Sequence, residues 1–439
     1  MRGSLKWAAG ALAVMLFSGA APTTSGDEKP QEPAPPGEQK PAEPAAAAEA
    51  KPKAPEGVKV SAGADGFVIQ SPSGDYRLQI RGYAQFDGRF FASDRDLALD
   101  TFVVRRARPI VQGTVAGHFE FNITPDFGGG TTVLQDAFLD VNYSPKARVR
   151  VGKFKPPVGL ERLQSASNLA FVERAFPTVL VPNRDLGVQL HGELAGGVLA
   201  YAAGVFNGAP DGGSVDVDVN DGKDLAGRVF VSPFKRGKSA LKGLGFGISG
   251  TTGDQTGPLP AYRSGGQISI ITLVTGITAD GRRERYSPQL SFYTGPFGLL
   301  AEYAHSKSRV KKADGTRFDL EGSAWQATAT VTLTGEAASY SGVRAKKPFD
   351  PKKGQWGALE LAGRVNGIKL GSQAVSDGLV DPSKSIREAF AWAAGLNWYL
   401  NRNVKQVVDF ERTSFTGGAA GGADRPAENA VFIRTQLAF

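Results

Sequence analysis

The sequence predicts an all-β protein, a transmembrane antiparallel β-barrel of about sixteen strands. Three observations carry that prediction. Segments of about ten residues alternate polar and apolar side chains, as in Asp75–Phe90 (DYRLQIRGYAQFDGRF) and Leu134–Tyr143 (LQDAFLDVNY), which marks strands with two unlike faces. The connections between these segments alternate short and long, the rhythm of a barrel with tight turns at one rim and long loops at the other. The last segment is Val431–Phe439 (VFIRTQLAF). Counted from the end, Phe439, Leu437, Thr435, Ile433 and Val431 share one face, and Ala438, Gln436, Arg434 and Phe432 share the other. That is an apolar-out strand closing on a terminal aromatic residue.

After the first segment come 102–112, 115–125, 134–143, 148–155, 185–194, 197–206, 223–232 and 242–251. They are followed by 287–294, 297–305, 322–333, 355–368, 387–400, 403–413 and 430–439, which brings the total to sixteen. Short connections include Gln112–Thr114, Ser144–Ala147, Ala195–Gly196, Gly295–Pro296 and Asn401–Asn403. Long ones include 156–184, 207–222, 252–286, 306–321 and 414–429. Thr334–Gly354 falls where a short turn is due and is long instead. The apolar run Ile268–Gly276 is assigned to a loop, because a seventeenth strand would leave the termini at opposite rims. A soluble sandwich or propeller also alternates, but these segments show no blade repeat.

The N-terminus reads as a signal peptide over residues 1–21. Arg2 and Lys6 precede an apolar stretch, Trp7–Phe17, too short to span a bilayer, and Ser18–Ala21 supplies small residues for cleavage. Pro22–Glu56 holds nine Pro and eight Ala among Glu and Lys, a composition that cannot bury an apolar core. Residues 22–64 are therefore expected to be a disordered periplasmic tether, with a reach on the order of 100 Å if extended. Residues 65–439 would form the barrel. The chain has no Cys, which excludes disulfides, thiolate metal sites and Cys nucleophiles. The formal net charge is +8. For a secreted chain this favours small anions over nucleic acid as the partner.

Two regions carry candidate chemistry. On strand 102–112, Val103, Arg105, Ala107, Pro109 and Val111 share one face, and Phe102, Val104, Arg106, Arg108 and Ile110 share the other. A lipid-facing Arg near mid-bilayer costs about 2–4 kcal/mol, so Arg106 and Arg108 are expected to point inward. Arg105 would then point outward unless a bulge turns it in. Inward guanidinium groups select permeant ions by sign. The alternative is a structural ion pair with Asp100, Glu120 or Asp136. The other region, loop 156–184, carries Arg162, Ser165, Ser167, Asn168 and Arg174, all donors suited to phosphate oxygens. It reads either as a pore loop or as an outer loop charged for solubility or lipopolysaccharide.

From about residue 65 to the end the sequence resembles the phosphate-selective porins O and P. The resemblance rests on Phe102–Arg108 (FVVRRAR), Arg150–Glu161 (RVGKFKPPVGLE), Arg174 after Glu173, and Arg184–Gly187 (RDLG). It continues in Gly295–Tyr303 (GPFGLLAEY), Thr332–Glu336 (TLTGE), Gly395–Tyr399 (GLNWY) and the final strand. The resemblance implies a sixteen-stranded homotrimeric barrel in the outer membrane of a Gram-negative bacterium, its third outer loop folded inward. It also implies a long periplasmic connection near Thr334–Gly354. By the same resemblance the central anion site maps onto Arg81, Arg105, Arg106, Arg162 and Arg174, with Asp136 orienting the cluster and Ser165 or Ser167 donating hydroxyls. Two departures stand out: the third loop has no Lys after Lys155, and the 252–286 region offers only Arg263, Arg282, Arg283 and Arg285 for an outer vestibule. Lys307, Arg309, Lys311 and Lys312 would form either a basic collar or a solvated loop.

Other motifs carry no function. Gly245–Gly250 matches GxGxxG inside an alternating strand with no helix after it, so nothing cradles a phosphate. His118, His191 and His305 lack metal-ligand spacing. Neither an enzyme nor a cofactor is expected. The expected function is a passive outer-membrane channel for phosphate, polyphosphate or other small anions, its bore lined by Arg81, Arg105, Arg106, Arg108, Arg162, Arg174, Ser165, Ser167 and Asp136. The alternatives are a general diffusion porin and a structural barrel in contact with outer-membrane lipid, anchoring a tether that touches the periplasm or cell wall through 22–64.

Overall fold

The structure is a computed structural model that describes residues 57–92, 98–218 and 220–439. The signal assignment, 1–21, and the tether up to residue 56 lie outside them. Sixteen strands form the wall. They are β1 (Arg77–Phe91), β2 (Thr101–Val115), β3 (Phe119–Asp126), β4 (Val133–Ser144), β5 (Ala147–Phe154), β6 (Asp185–Leu194), β7 (Leu199–Phe206) and β8 (Asp224–Val231). Then come β9 (Leu244–Pro258), β10 (Thr278–Thr294), β11 (Phe297–Lys311), β12 (Arg317–Thr332), β13 (Ala358–Leu370), β14 (Ile386–Tyr399), β15 (Val404–Gly417) and β16 (Glu428–Ala438). Each pairs antiparallel with its sequence neighbour, and β16 closes on β1 from Ala430↔Phe91 to Ala438↔Tyr83.

The face assignments follow from the pleat. Ile433, Thr435, Leu437 and Phe439 are exposed on the outside, while Phe432, Arg434 and Gln436 are buried inside. Around the wall the exposed positions are apolar, among them Val151, Val188, Leu190, Ile248, Trp325, Phe390, Trp392 and Leu396. A continuous apolar exterior of this extent needs lipid to cover it. No helix among the described residues is long and apolar enough to cross a membrane.

Three boundaries differ from the sequence reading. β9 runs on to Pro258 and β10 begins at Thr278, so the loop expected over 252–286 is only 259–277. Ile268–Gly276 does stay out of the wall, contributing Ser269–Ile271 to a two-stranded ribbon with Tyr262–Arg263. Likewise β11 and β12 shorten the 306–321 loop to 312–316. Above the bilayer both faces of a strand are wet, so apolar alternation fades while the hydrogen-bond ladder continues. The tether assignment also gives way at its end. Lys59–Gly63 and Gly66–Gln70 form a hairpin that pairs with Arg77–Ile80 at the foot of β1. Strands this short, directly after a Pro-rich tract, leave little periodic signal.

The long connection 333–357 lies at the short-turn rim. It is held there by bonds such as Ala338 N–H to the Gly295 carbonyl and Phe349 N–H to the Leu400 carbonyl. Inside the barrel, loops 155–184 (L3), 259–277 (L5) and 371–385 (L7) pack an apolar plug. Phe176, Leu180, Ile270, Ile271, Leu379 and Val380 meet Ala304, Ala324 and Ile368 of the wall. The plug fills the side of β10 to β14, and open space remains along β1 to β8 and, at the short-turn rim, beside β15 and β16.

Candidate functional site in the barrel lumen

L3 crosses the bore rather than leaving it, and the far wall holds it by its backbone. The Glu302 carboxylate on β11 accepts the Leu160 and Glu161 amides at 2.5 and 3.2 Å. Asp409 on β15 accepts the Val172 amide at 2.5 Å, and Asn366 on β13 accepts the Phe176 amide at 3.2 Å. Wall cations take the loop carbonyls: Lys405 donates to Leu169 at 2.7 Å and Arg364 to Glu173 at 2.8 Å. From the short-turn rim the Tyr340 hydroxyl donates to the Leu160 carbonyl at 2.6 Å. Buried backbone groups need partners, and here the wall supplies them. This fixes the height and tilt of L3 and presents its remaining side chains to β2.

The β2 strand answers with arginines. Against β1 the register runs Gln85↔Arg106 and then Phe86↔Val104, so Arg105 is an extra, bulged residue. The bulge reverses the pleat. Phe102 and Val104 are exposed outward, whereas Arg106 and Arg108 are buried inward, although all four share a parity. Arg105 swings in as well and reaches Glu173 of L3 with Nε–Oε1 at 2.6 Å and Nη2–Oε2 at 3.2 Å. Asp126 stabilises the bend, accepting the Ala107 and Gly128 amides at 3.0 Å each and the Arg108 Nε at 2.7 Å. Gly128 has to be glycine, because a Cβ there would lie 2.7 Å from the Arg105 carbonyl oxygen.

The cluster divides by its partners. Arg105 and Arg89 share Glu173, Arg108 has Asp126, and Arg184 has Asp136 at 3.3 Å. Arg106, Arg162 and Arg174 have only neutral acceptors. Arg106 donates to Gln85 Oε1 at 2.7 Å, Arg162 to Asn183 Oδ1 at 3.1 Å and to the Thr178 carbonyl, and Arg174 to the carbonyls of Glu161 and Gln164 at 3.1 and 2.7 Å. Among the described residues none of these three forms an ion pair. Burial, and then the Arg174 and Arg184 charges, push the Arg162 guanidinium down to about 9. Since a guanidinium keeps its proton in the working range, the crowding registers as unmet demand for negative charge.

Three cavities meet along this side. The outer one, about 490 Å³, is lined by Arg105, Arg106, Arg108, Arg162, Arg174 and Arg184, with Arg263 of L5 at its edge. The next, about 290 Å³, shares Arg108, Arg174 and Arg184 with the first and adds Asp136 and Lys155. The last, about 410 Å³, shares Arg81 and Ser165 with the second and opens at the short-turn rim beside Asn401 and Phe439. The structure therefore gathers Arg105, Arg106, Arg108, Arg162 and Arg174 around one space. It sets Arg81, Ser165 and Ser167 lower, at the exit, where Arg81 donates to Gln112 at 3.1 Å. Asp136 reaches Arg184 and neither Arg105 nor Arg106, so it does not orient the β2 pair. Glu173 holds Arg105 and Gln85 holds Arg106.

A family model described as phosphate-selective porin O and P matches residues 76–439. The chain belongs to this family. Porin O of Pseudomonas aeruginosa is 26% identical over 367 residues, spanning 75% of this chain and 80% of that protein. Among solved structures, the anion-selective porin from Comamonas acidovorans superposes with a TM-score of 0.52 at 11% identity, covering 83% of this chain and all of that one, 100%. The outer-membrane channel DcaP of Acinetobacter baumannii gives 0.53 at 11% identity, over 84% and 99%. At that identity the two structures speak to the fold alone. This porin is an outer-membrane channel of sixteen strands with an inward third loop.

Two groups expected at the outer mouth of the porin are spoken for. Arg283 and Arg285 are not loop residues but buried positions of β10, where Asp211 takes Arg285 at 2.6 Å and Asp224 takes both at 3.2 Å. The collar residues Lys307 and Arg309 pair with Asp319 at 3.1 and 2.9 Å, and Lys311 with Asp280 at 3.6 Å. Lys312 lies over the Phe318 ring at 4.7 Å. Arg285→Ala should therefore cost about 3–5 kcal/mol of stability, as breaking a buried pair does. Urea unfolding in detergent should show that loss while the reversal potential barely moves; a large selectivity change would put Arg285 in the pathway instead. The sequence reading missed Lys155 and Arg184. Lys155 is half-buried and donates to the Leu163 and Gln164 carbonyls at 3.2 and 2.9 Å, and desolvation first, then Arg184 and Arg174, push its ammonium well down. Both residues stand in segments with motif signal, KFKPP and RDLG, but which cation faces the bore depends on how L3 bends.

Proposed function

We propose that this porin is a passive, anion-preferring channel whose constriction lies between β2 and L3, that phosphate or polyphosphate is its favoured substrate, and that it works as a homotrimer. One observation carries the reading: Arg106, Arg162 and Arg174 line an open cavity of the bore, and among the described residues none of them forms an ion pair. A fork of N–H donors in a narrow aqueous bore replaces part of an anion's hydration shell, and water beside it lets the ion leave. Flux then follows the concentration gradient. The anion-selective character of the Comamonas acidovorans relative supports the sign of the preference. A trimer form recorded for OmpT of Vibrio cholerae, which superposes at 0.52, supports the assembly.

A second reading has its own support. Arg105, Arg108, Arg184, Arg283 and Arg285 are all neutralised by carboxylates, which suits a general diffusion porin of weak preference. Planar-bilayer recording across a chloride gradient, with phosphate then added, decides between them. A reversal potential of anion sign with phosphate block of the chloride current supports the proposed site. Anion current without block supports the general porin, and absence of current supports a purely structural barrel.

A further inference from the structure

The hairpin at the foot of β1 is not needed to close the barrel, yet its two faces are sharply unlike. Strand 66–70 takes the place beside β1 that β16 vacates. β1 pairs with β16 down to Tyr83↔Ala438, and from Ile80 to Arg77 it pairs with Phe67 to Gln70. Strand 59–63 lies beyond it, with Val60↔Ile69 and Ala62↔Phe67. The wall thus continues below its own seam as a three-stranded apron, about 15 Å along the strand direction.

Directly paired residues share a face. Val60, Ala62, Phe67 and Ile69 therefore share the face of Leu78 and Ile80, which in β1 is the face of lipid-exposed Phe86. Val60 is 75% exposed, Phe67 57% and Ile69 47%. The Phe67 ring meets that of outward-facing Phe439 edge-on at 6.3 Å, so the apron and the barrel exterior form one unbroken apolar surface. The opposite face carries Lys59, Ser61, Gln70, Arg77 and Gln79, with Val68 its apolar member. The turn is pinned under the barrel. Gln79 donates to the Asp65 carbonyl at 2.6 Å, Asn403 to the Ala64 carbonyl at 2.9 Å, and Arg402 pairs with Asp65 at 3.4 Å. Gly66, at φ +91, permits the turn, and a Cβ there would sit 2.3 Å from the Ile80 carbonyl oxygen. A hairpin fixed so firmly cannot fold its apolar face away from what lies outside.

We propose that this apron is a membrane anchor, its Val60–Phe67–Ile69 face covered by phospholipid acyl chains of the periplasmic leaflet and its polar face turned to the pore exit. Continuity with the lipid-covered exterior singles out lipid as the occupant, and exposed Tyr76 beside the apron suits the interface. The residue where the described chain begins, Gly57, then leaves from the membrane surface.

The absence of Cys makes the test direct. Val60→Cys, Phe67→Cys and Ser61→Cys are made singly in the full chain, spin-labelled, and reconstituted in phosphatidylcholine vesicles. Ile80→Cys reports independently that the foot of β1 is folded and facing lipid. Labels at 60 and 67 should collide several times more often with dissolved oxygen than with a water-soluble nickel chelate, and the label at 61 should show the reverse. Equal chelate access at 60 and 61 would place the apron in water. Exclusion of both reagents at 60 and 67 would place it against a second copy of the chain. Either result, with the label at 80 behaving as lipid-facing, overturns the proposal.

Discussion

Arg106→Glu should invert the channel's charge preference. Arg106 is buried beside the bore, where among the described residues its side chain donates to the neutral Gln85 Oε1 and forms no ion pair. The substitution changes the local charge by two units, within several ångströms of a passing ion. At an effective dielectric constant between 20 and 80 this amounts to about 1–5 kcal/mol in the relative free energy of an anion there. The anion-to-cation permeability ratio should fall on the order of tenfold or more. Lys312→Glu, at a rim where neighbouring cations already have carboxylate partners, should change the ratio less than twofold, given screening of exposed charge over about 8 Å. Reversal potentials across a tenfold salt gradient measure both. Equal effects would refute the assignment of the constriction to β2 and L3.

Glu173→Gln should give the second large effect, and in the opposite direction. Glu173 is the carboxylate that Arg89 and Arg105 share at 3.2 and 2.6 Å. Removing its charge leaves two more guanidinium groups without counter-charge beside Arg106, Arg162 and Arg174. Phosphate should then block chloride current at about tenfold lower concentration, and the tighter site should conduct less. The same change breaks a buried pair, so stability should fall by about 3–5 kcal/mol. The pH dependence has a definite sign. Burial alone would raise the Glu173 carboxyl, but Arg105 and Arg106 outweigh burial and hold it below the usual range. A depressed carboxyl contributes stability that is fully present above the unfolded value, about 4.3, and is lost only as the pH falls through the lower folded value. The stability gap between the natural chain and Glu173→Gln should therefore persist from pH 7 to pH 5 and narrow only in stronger acid. Unfolding titrations at each pH measure it, and a gap already closed at pH 5 would contradict the pairing.

The sequence by itself determined the wall. Alternation with period two is written into every strand that crosses lipid, because one face must be apolar and the other wet. That sufficed to place Val431–Phe439 with Ile433, Leu437 and Phe439 outward and to make an inward Arg106 and Arg108 the expectation, while the need for an even strand count kept Ile268–Gly276 out of the wall. The signal weakened where its cause did. Strand ends above the bilayer have water on both faces, so β9 and β10 run further than alternation indicates, and Arg283 and Arg285 became wall residues already satisfied by Asp211 and Asp224.

Only the tertiary structure decided which cations are free. Glu173 and Arg105 are far apart in the chain and meet because L3 is hung by its backbone on Glu302, Asp409 and Asn366, residues of the opposite wall. Asp126 rather than Asp100, Glu120 or Asp136 partners Arg108, because the β2–β3 hairpin turns between Val115 and Phe119, and its register, Val111↔Ile123, carried on sets Asp126 opposite Arg108. Counter-charge is a property of three-dimensional neighbours, and no local pattern encodes it.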